Sequence, residues 1–223
     1  MAFTFHHRGS GVRAGDRVAL FPGAWNPPTS AHLALARAGL GWAGEVVWVI
    51  PRVFPHKGFE GASLEDRIGM LRMVAACEDR FSVATTDRGL YLEMAGEARE
   101  WYGADSEIGL ICGRDAAERI ANWDYGRPGV FEAMVERHPL LVAARRGEYS
   151  SDSRYHGRIV QLPVDGDYDE VSSTEVRERV ANGGAWEELV PVEIREYVRG
   201  IYQGGATLAV DSPACPNSQK LKP

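Results

Sequence analysis

Three stretches of this chain carry residues suited to phosphate chemistry, each where a strand would end and a loop or helix begin. The first is Gly23-Ala24-Trp25-Asn26-Pro27-Pro28-Thr29-Ser30-Ala31-His32. Its small residues let a ligand come close to the backbone, and the helix that follows offers N–H groups and positive potential to an anion. His32 falls in that helix's first turn, where its imidazole could face the same anion. Alone, the loop also fits a tight strand-to-helix connection, and His32 a satisfied core histidine. The second stretch, Pro51-Arg52-Val53-Phe54-Pro55-His56-Lys57, brings two or three cations to the same sheet edge. Alone, Lys57 reads as a solvated surface lysine. The third, Ser172-Ser173-Thr174-Glu175-Val176-Arg177, sets three hydroxyls and an arginine at a helix start. A capping box accounts for Ser172 and Glu175. It leaves Ser173, Thr174 and Arg177, which could cradle a second phosphate with the guanidinium forked across its oxygens.

Two helix N-termini with a histidine, a lysine and an arginine at one sheet edge describe a polyphosphate site. The chain has no GxxxxGK[ST] loop, no HExxH and no GxSxG. With no obvious nucleophile, the chemistry that fits is direct displacement at phosphorus.

These stretches need a scaffold, and the apolar pattern supplies one. Arg17 to Phe21, Val46 to Ile50, Phe81 to Ala84, Ile108 to Cys112, Leu140 to Ala144 and Ile159 to Leu162 read as short buried strands. Between them the pattern predicts helices: one capped by Thr29 over Ala31 to Leu40, and one opened by Ser63 and Asp66 with Leu64, Ile68, Leu71 and Ala75 on one face. A third is predicted over Leu90 to Tyr102 with Met94, Ala98 and Trp101 inward, and a fourth from Asp115 to about Trp123. Continuous apolar strands alternating with helices predict a doubly wound α/β domain on a parallel sheet. A helix from Ser172 to Gly183 or Gly184, then a last apolar stripe from Val192 to Tyr202, form a C-terminal helical extension. Residues 1–203 are expected to be one domain and residues 204–223 a disordered tail.

The 223 residues are 44% hydrophobic and 25% charged, a soluble globular balance. A net charge of −6 argues against nucleic acid or an anionic membrane as the main partner. No 18-residue apolar run and no signal segment is visible. Cys77, Cys112 and Cys215 are odd in number and far apart, which argues against a disulfide framework or zinc site and for a reducing cytoplasm. Oligomeric state is left open, a homo-oligomer included.

Five blocks, in order, resemble the signatures of the nicotinate/nicotinamide mononucleotide adenylyltransferases, a branch of the nucleotidyltransferase superfamily. They are Asn26 to His32, Pro55-His56-Lys57, Ile111-Cys112-Gly113-Arg114-Asp115 with Trp123, Val171 to Arg177, and Leu189-Val190-Pro191 followed by Val198 and Tyr202. The resemblance spans roughly residues 17–203. It implies a Rossmann-like nucleotidyltransferase fold and transfer of AMP from ATP to a pyridine mononucleotide, forming the dinucleotide of NAD biosynthesis and releasing pyrophosphate. Carried over by position, Gly23, Ala24 and Thr29 lie along the ATP phosphates and His32 stabilises charge at the reacting phosphate. Gly113 and Asp115 line the nucleoside pocket, while Ser172, Ser173, Thr174 and Arg177 hold the outer phosphates. Asn26, Lys57 and Trp123 serve the acceptor, Lys57 at its phosphate and Trp123 against its ring. His32, Lys57 and Arg177 are the implied catalytic set. Mg²⁺ is expected to be bound through the ATP phosphates, which need few dedicated protein ligands.

The chain departs from the bacterial His-x-Gly-His pattern with Thr29-Ser30-Ala31-His32, which resembles the eukaryotic branch. Asp87-Arg88-Gly89-Leu90-Tyr91 replaces the Pro-Ser-Tyr-Thr stretch of relatives, so nicotinate and nicotinamide acceptors both stay open. Two other readings remain: a related transferase using CTP or another phosphorylated acceptor, and a nucleotide-sensing module without turnover.

Overall fold

The computed structural model describes residues 3–10, 16–52, 61–143, 152–155, 157–164, 166, 168 and 170–204. The expectations for Lys57 and for the tail beyond residue 204 lie outside them. A seven-stranded sheet runs through the molecule. Its strands are β1 (Thr4–His7), β2 (Arg17–Pro22), β3 (Glu45–Pro51), β4 (Phe81–Thr86), β5 (Glu107–Gly113), β6 (Leu140–Ala143) and β7 (Ile159–Leu162). Their spatial order is β1-β4-β3-β2-β5-β6-β7.

The chain starts the parallel sheet in its middle. From β2 it winds outward through β3 to β4, then crosses back to β5 and winds the other way to β7, with parallel pairing at each of these steps. Direction therefore reverses between β2 and β5, and the crevice above their carboxyl ends is where such sheets bind ligands. One strand breaks the expected parallel rule. β1 pairs antiparallel with β4, Thr4 opposite Thr85 and Phe5 opposite Ala84. With Phe3 before it, Thr4-Phe5-His6-His7 puts Phe3 and Phe5 on one side of a half-buried edge strand, a pattern hidden by the histidines that complete it.

Helices cover both faces. α1 (Ser30–Gly39), α2 (Leu64–Ala75), α6 (Ser173–Ala181) and α7 (Arg195–Gly204) pack on the face of Ala19, Phe21, Val46, Trp48 and Ile50. α3 (Tyr91–Tyr102), α4 (Arg114–Ala121) and α5 (Val130–Arg137) pack on the face of Val18, Leu20, Val47 and Val49. The one-residue alternation along β2 and β3 thus feeds two cores from a sheet that is apolar on both sides. α5 escaped the periodicity reading, although Phe131, Met134 and Val135 are its buried stripe.

Several local expectations shift. α4 stops two residues before Trp123. The helical pattern places Trp101 on the inner side of α3; instead it is 49% exposed, its indole N–H donating to the Phe3 carbonyl and its ring stacked edge-on against Phe5. The strand β1, absent from the sequence reading, is the reason, because it gives Trp101 an outer partner. α7 begins at Arg195 after two 3-10 turns, leaving Val192 exposed. α6 closes as expected, with Gly183 left-handed at φ +67 and the Gly184 N–H returning to the Arg179 carbonyl. Cys112 is a buried free thiol. Cys77 is disulfide-bonded, which the expectation against a disulfide framework did not foresee.

Candidate active site

A cavity of about 880 Å³ opens above the crossover of β2 and β5. Its walls include Gly23, Ala24, Trp25 and His32 from the first loop and α1, Cys112 to Ala116 with Arg119 from β5 and α4, and Ser173 from α6. Three helices thus bring their first turns to it, and each contributes the positive end of its dipole.

The start of α1 is built by a reciprocal cap. The Thr29 side chain accepts the His32 backbone N–H at 3.3 Å, and His32 Nδ1 accepts the Thr29 backbone N–H at 3.0 Å. Because Nδ1 acts as an acceptor, the neutral ring carries its proton on Nε2. The imidazole is walled by Trp25 and Phe21, with ring centroids 5.0 and 6.3 Å away. Trp25 itself is buried, anchored by its indole N–H on the Val49 carbonyl at 3.0 Å and packed on Phe21 and Trp48. The result is a half-buried imidazole with a set tautomer and a set direction.

Gly23 is needed for a nearer reason than ligand approach. A Cβ there would stand 2.6 Å from Trp25 Cζ2. Gly113 is different: a Cβ would meet nothing within 4 Å, so the space above it is open for a ligand. Trp25 holds φ +54, unusual for a bulky residue and maintained only by the packing around it.

The loop behind this wall contains Pro27 and Pro28, which lack N–H groups. Its carbonyls find side-chain donors instead. Arg67 of α2 reaches Ala24 at 3.2 Å, Arg177 of α6 reaches Asn26 at 2.7 Å, and the Ser173 hydroxyl reaches Pro27 at 2.7 Å. Residues near positions 30 and 175, remote in sequence, are therefore brought together. Ser172 caps α6 by accepting the Glu175 N–H at 3.1 Å, but the predicted capping box is only half made, since Glu175 pairs with Arg179 at 2.6 Å. Thr174 is exposed and accepts from Arg177 at 3.3 Å.

Of the residues singled out from the sequence, Gly23, Ala24, His32, Gly113, Asp115 and Ser173 line the cavity. Thr29 is buried at its edge as a cap. Ser172, Thr174 and Arg177 stand at the start of α6 outside the lining, and Trp123 is 43% exposed past the end of α4. Asn26 is buried behind the loop.

The sequence reading missed Arg119. It lines the cavity from α4, is exposed, and has no hydrogen bond or ion pair among the described residues. The neighbouring Arg114 is committed to Glu118 at 3.0 Å. The only sequence signal for Arg119 is its place one turn after Asp115, from which a helical side chain leans back toward the first turn. Cys112 also lines the wall, but burial pushes its thiol up to about 12, so it is no nucleophile at neutral pH. Among the described residues no cluster of three histidine, cysteine or acidic groups could hold a metal. No described helix is long and apolar enough to cross a membrane.

Such a cavity can hold a chain of phosphates and donate a hydrogen bond from Nε2 to one of them. Residues 20–179 match the Cytidylyltransferase-like family. The "Probable nicotinate-nucleotide adenylyltransferase" of Treponema pallidum is 32% identical over 207 residues, covering 84% of this chain and 99% of that protein. The protein of the same name from Salinibacter ruber is 32% identical over 196 residues, covering 81% and 94%. Among solved structures, the Plasmodium falciparum nicotinic acid mononucleotide adenylyltransferase complexed with NaAD aligns with a TM-score of 0.62 at 17% identity, covering 84% of this chain and 97% of that one. At that identity the likeness speaks for the fold.

Proposed function

The chain belongs to the Cytidylyltransferase-like family, and from that premise we propose that it is an adenylyltransferase joining ATP to nicotinate mononucleotide, with release of pyrophosphate, in NAD biosynthesis. The names of the relatives support nicotinate over nicotinamide as the acceptor. The observation that supports the chemistry is the cap between Thr29 and His32, which leaves the proton on Nε2 of a histidine that lines the cavity.

On this reading a phosphate oxygen of the mononucleotide attacks the α-phosphorus of ATP. A new P–O bond forms between the two phosphates, the bond from the α-phosphorus to the bridging oxygen breaks, and both electrons leave with pyrophosphate. No covalent enzyme intermediate is needed, in keeping with the inert Cys112. Positioning and charge stabilisation supply the rate. His32 Nε2–H donates to an α-phosphate oxygen as charge shifts there. The starts of α1 and α6 receive the triphosphate, with Ser172, Ser173, Thr174 and Arg177 on its outer phosphates. Gly113 and Asp115 border the nucleoside. Lys57 and Trp123 serve the acceptor's phosphate and ring.

Mg²⁺ suits this donor set: Asp115 and Glu118 line the cavity without a third carboxylate beside them among the described residues, so most ligands would be phosphate oxygens and water. When bound, it neutralises phosphate charge. On this reading the protein works in the cytoplasm, where both substrates are found.

The test incubates purified protein with Mg²⁺, ATP or CTP, and nicotinate or nicotinamide mononucleotide, and measures pyrophosphate and dinucleotide. ATP with nicotinate mononucleotide is expected to be the preferred pair. Turnover with CTP alone, or nucleotide binding without pyrophosphate, overturns the reading.

A further inference from the structure

Asn26 is 6% exposed, and its side-chain oxygen accepts two hydrogen bonds, from the Ala62 backbone N–H at 3.1 Å and from the Tyr202 hydroxyl at 2.5 Å. Those two donors occupy both lone pairs of that oxygen. The Asn26 backbone carbonyl is taken as well, by Arg177. The residue expected to touch the acceptor is thus engaged by protein on two of its atoms. It sits between Trp25, which holds a left-handed backbone, and two prolines that cannot donate hydrogen bonds. Beside the Trp25 indole on the Val49 carbonyl, the loop's conformation is held by α2, α6 and, through Tyr202, α7.

We infer that Asn26 and Tyr202 are positioning residues for the proposed adenylyl transfer: the Tyr202 hydroxyl, acting through the Asn26 side chain, sets the Trp25–Asn26 turn and with it the indole wall against His32. The chain of contact is short. Asn26 follows Trp25 directly, and the Trp25 ring stands at 88° to the imidazole, 5.0 Å away. A tilt of that wall moves the donor atom of His32, and a misplacement near 1 Å costs on the order of 100-fold in rate. The inference rests on the proposed reaction only for its kinetic arm.

α7 supplies a matched control. The Tyr197 hydroxyl donates at 3.3 Å to Asp66, on α2 and not on the loop. Tyr202→Phe and Tyr197→Phe each delete one phenol oxygen from the same helix. Tyr202→Phe is expected to lower kcat roughly 10-fold to 100-fold while ATP affinity, measured by calorimetry without acceptor, stays within about twofold. Tyr197→Phe is expected to leave kcat unchanged at temperatures where both variants are folded by circular dichroism. Amide hydrogen exchange gives a readout independent of turnover: residues 23–32 should exchange faster in Tyr202→Phe and not in Tyr197→Phe. Equal kcat in the two variants, or unchanged exchange over residues 23–32 in Tyr202→Phe, overturns the inference. Should the wild type make no dinucleotide while the exchange difference is present, the adenylyl-transfer reading fails and the clamp stands.

Discussion

Thr29 and His32 cap one another: the threonine hydroxyl takes the His32 backbone N–H, and the imidazole Nδ1 takes the Thr29 backbone N–H at 3.0 Å. A histidine at the third helical position thus fills the place usually left to a glutamate, and the same bond that closes the helix start decides which ring nitrogen holds the proton.

His32→Ala removes the donor and half of the cap. Turnover is expected to fall about 100-fold to 1,000-fold. The stability loss should be about 1 kcal/mol, as for other lost caps. Steady-state kinetics and urea unfolding on one preparation check both, and a loss of activity explained by unfolding would remove His32 from the mechanism.

Gly23→Ala forces a methyl to 2.6 Å from a Trp25 ring that Phe21 and Trp48 hold in place. Overpacking of this kind costs about 1–3 kcal/mol. The urea midpoint should drop accordingly, and ATP affinity with it. A midpoint matching wild type shows that the ring can move aside.

Arg119→Gln tests the cation that spacing did not reveal. A guanidinium bonded to phosphate contributes about 1.5–3 kcal/mol, so the ATP Kd is expected to rise roughly 10-fold or more while adenosine binding is unchanged. Calorimetry at low and moderate salt decides it. Equal losses for adenosine and ATP place Arg119 at the base or ribose instead.

Glu45 predicts a pH effect remote from the cavity. It is 1% exposed at the start of β3, and burial pushes its carboxyl above the usual range, a rise that hydrogen bonding to Ser82 opposes. The folded state therefore keeps the proton to higher pH than the unfolded chain. The stability from this group is complete below the ordinary carboxylate range and is lost as pH rises through the folded value. Glu45→Gln keeps an acceptor for Ser82 and cannot ionise. Its Tm should exceed wild type at pH 8, with the gap closing toward pH 4. A gap independent of pH removes Glu45 titration from the account.

The parallel strands and the starts of α1 and α6 were legible because each rests on a local signal: a continuous apolar run, a hydroxyl before a helix, a glycine after one. What stayed hidden depends on partners remote along the chain. Thr4–His7 is a strand only because β4 lies beside it. The clamp on Asn26 is closed by Tyr202, 176 positions away, which nothing nearby in sequence announces. Arg119 carries no local mark, and only the placement of α4 over the crossover brings it to the cavity wall.

The tie between Asn26 and Tyr202 spans 176 positions of chain. At a synthesis rate of about 5–20 residues per second, the loop that holds Asn26 leaves the ribosome roughly 9 to 35 s before this tether exists. A nascent polypeptide that stops short of Tyr202 therefore carries the Trp25–Asn26 turn without the hydroxyl that clamps Asn26, so this contact is completed only after every strand of the sheet has been made.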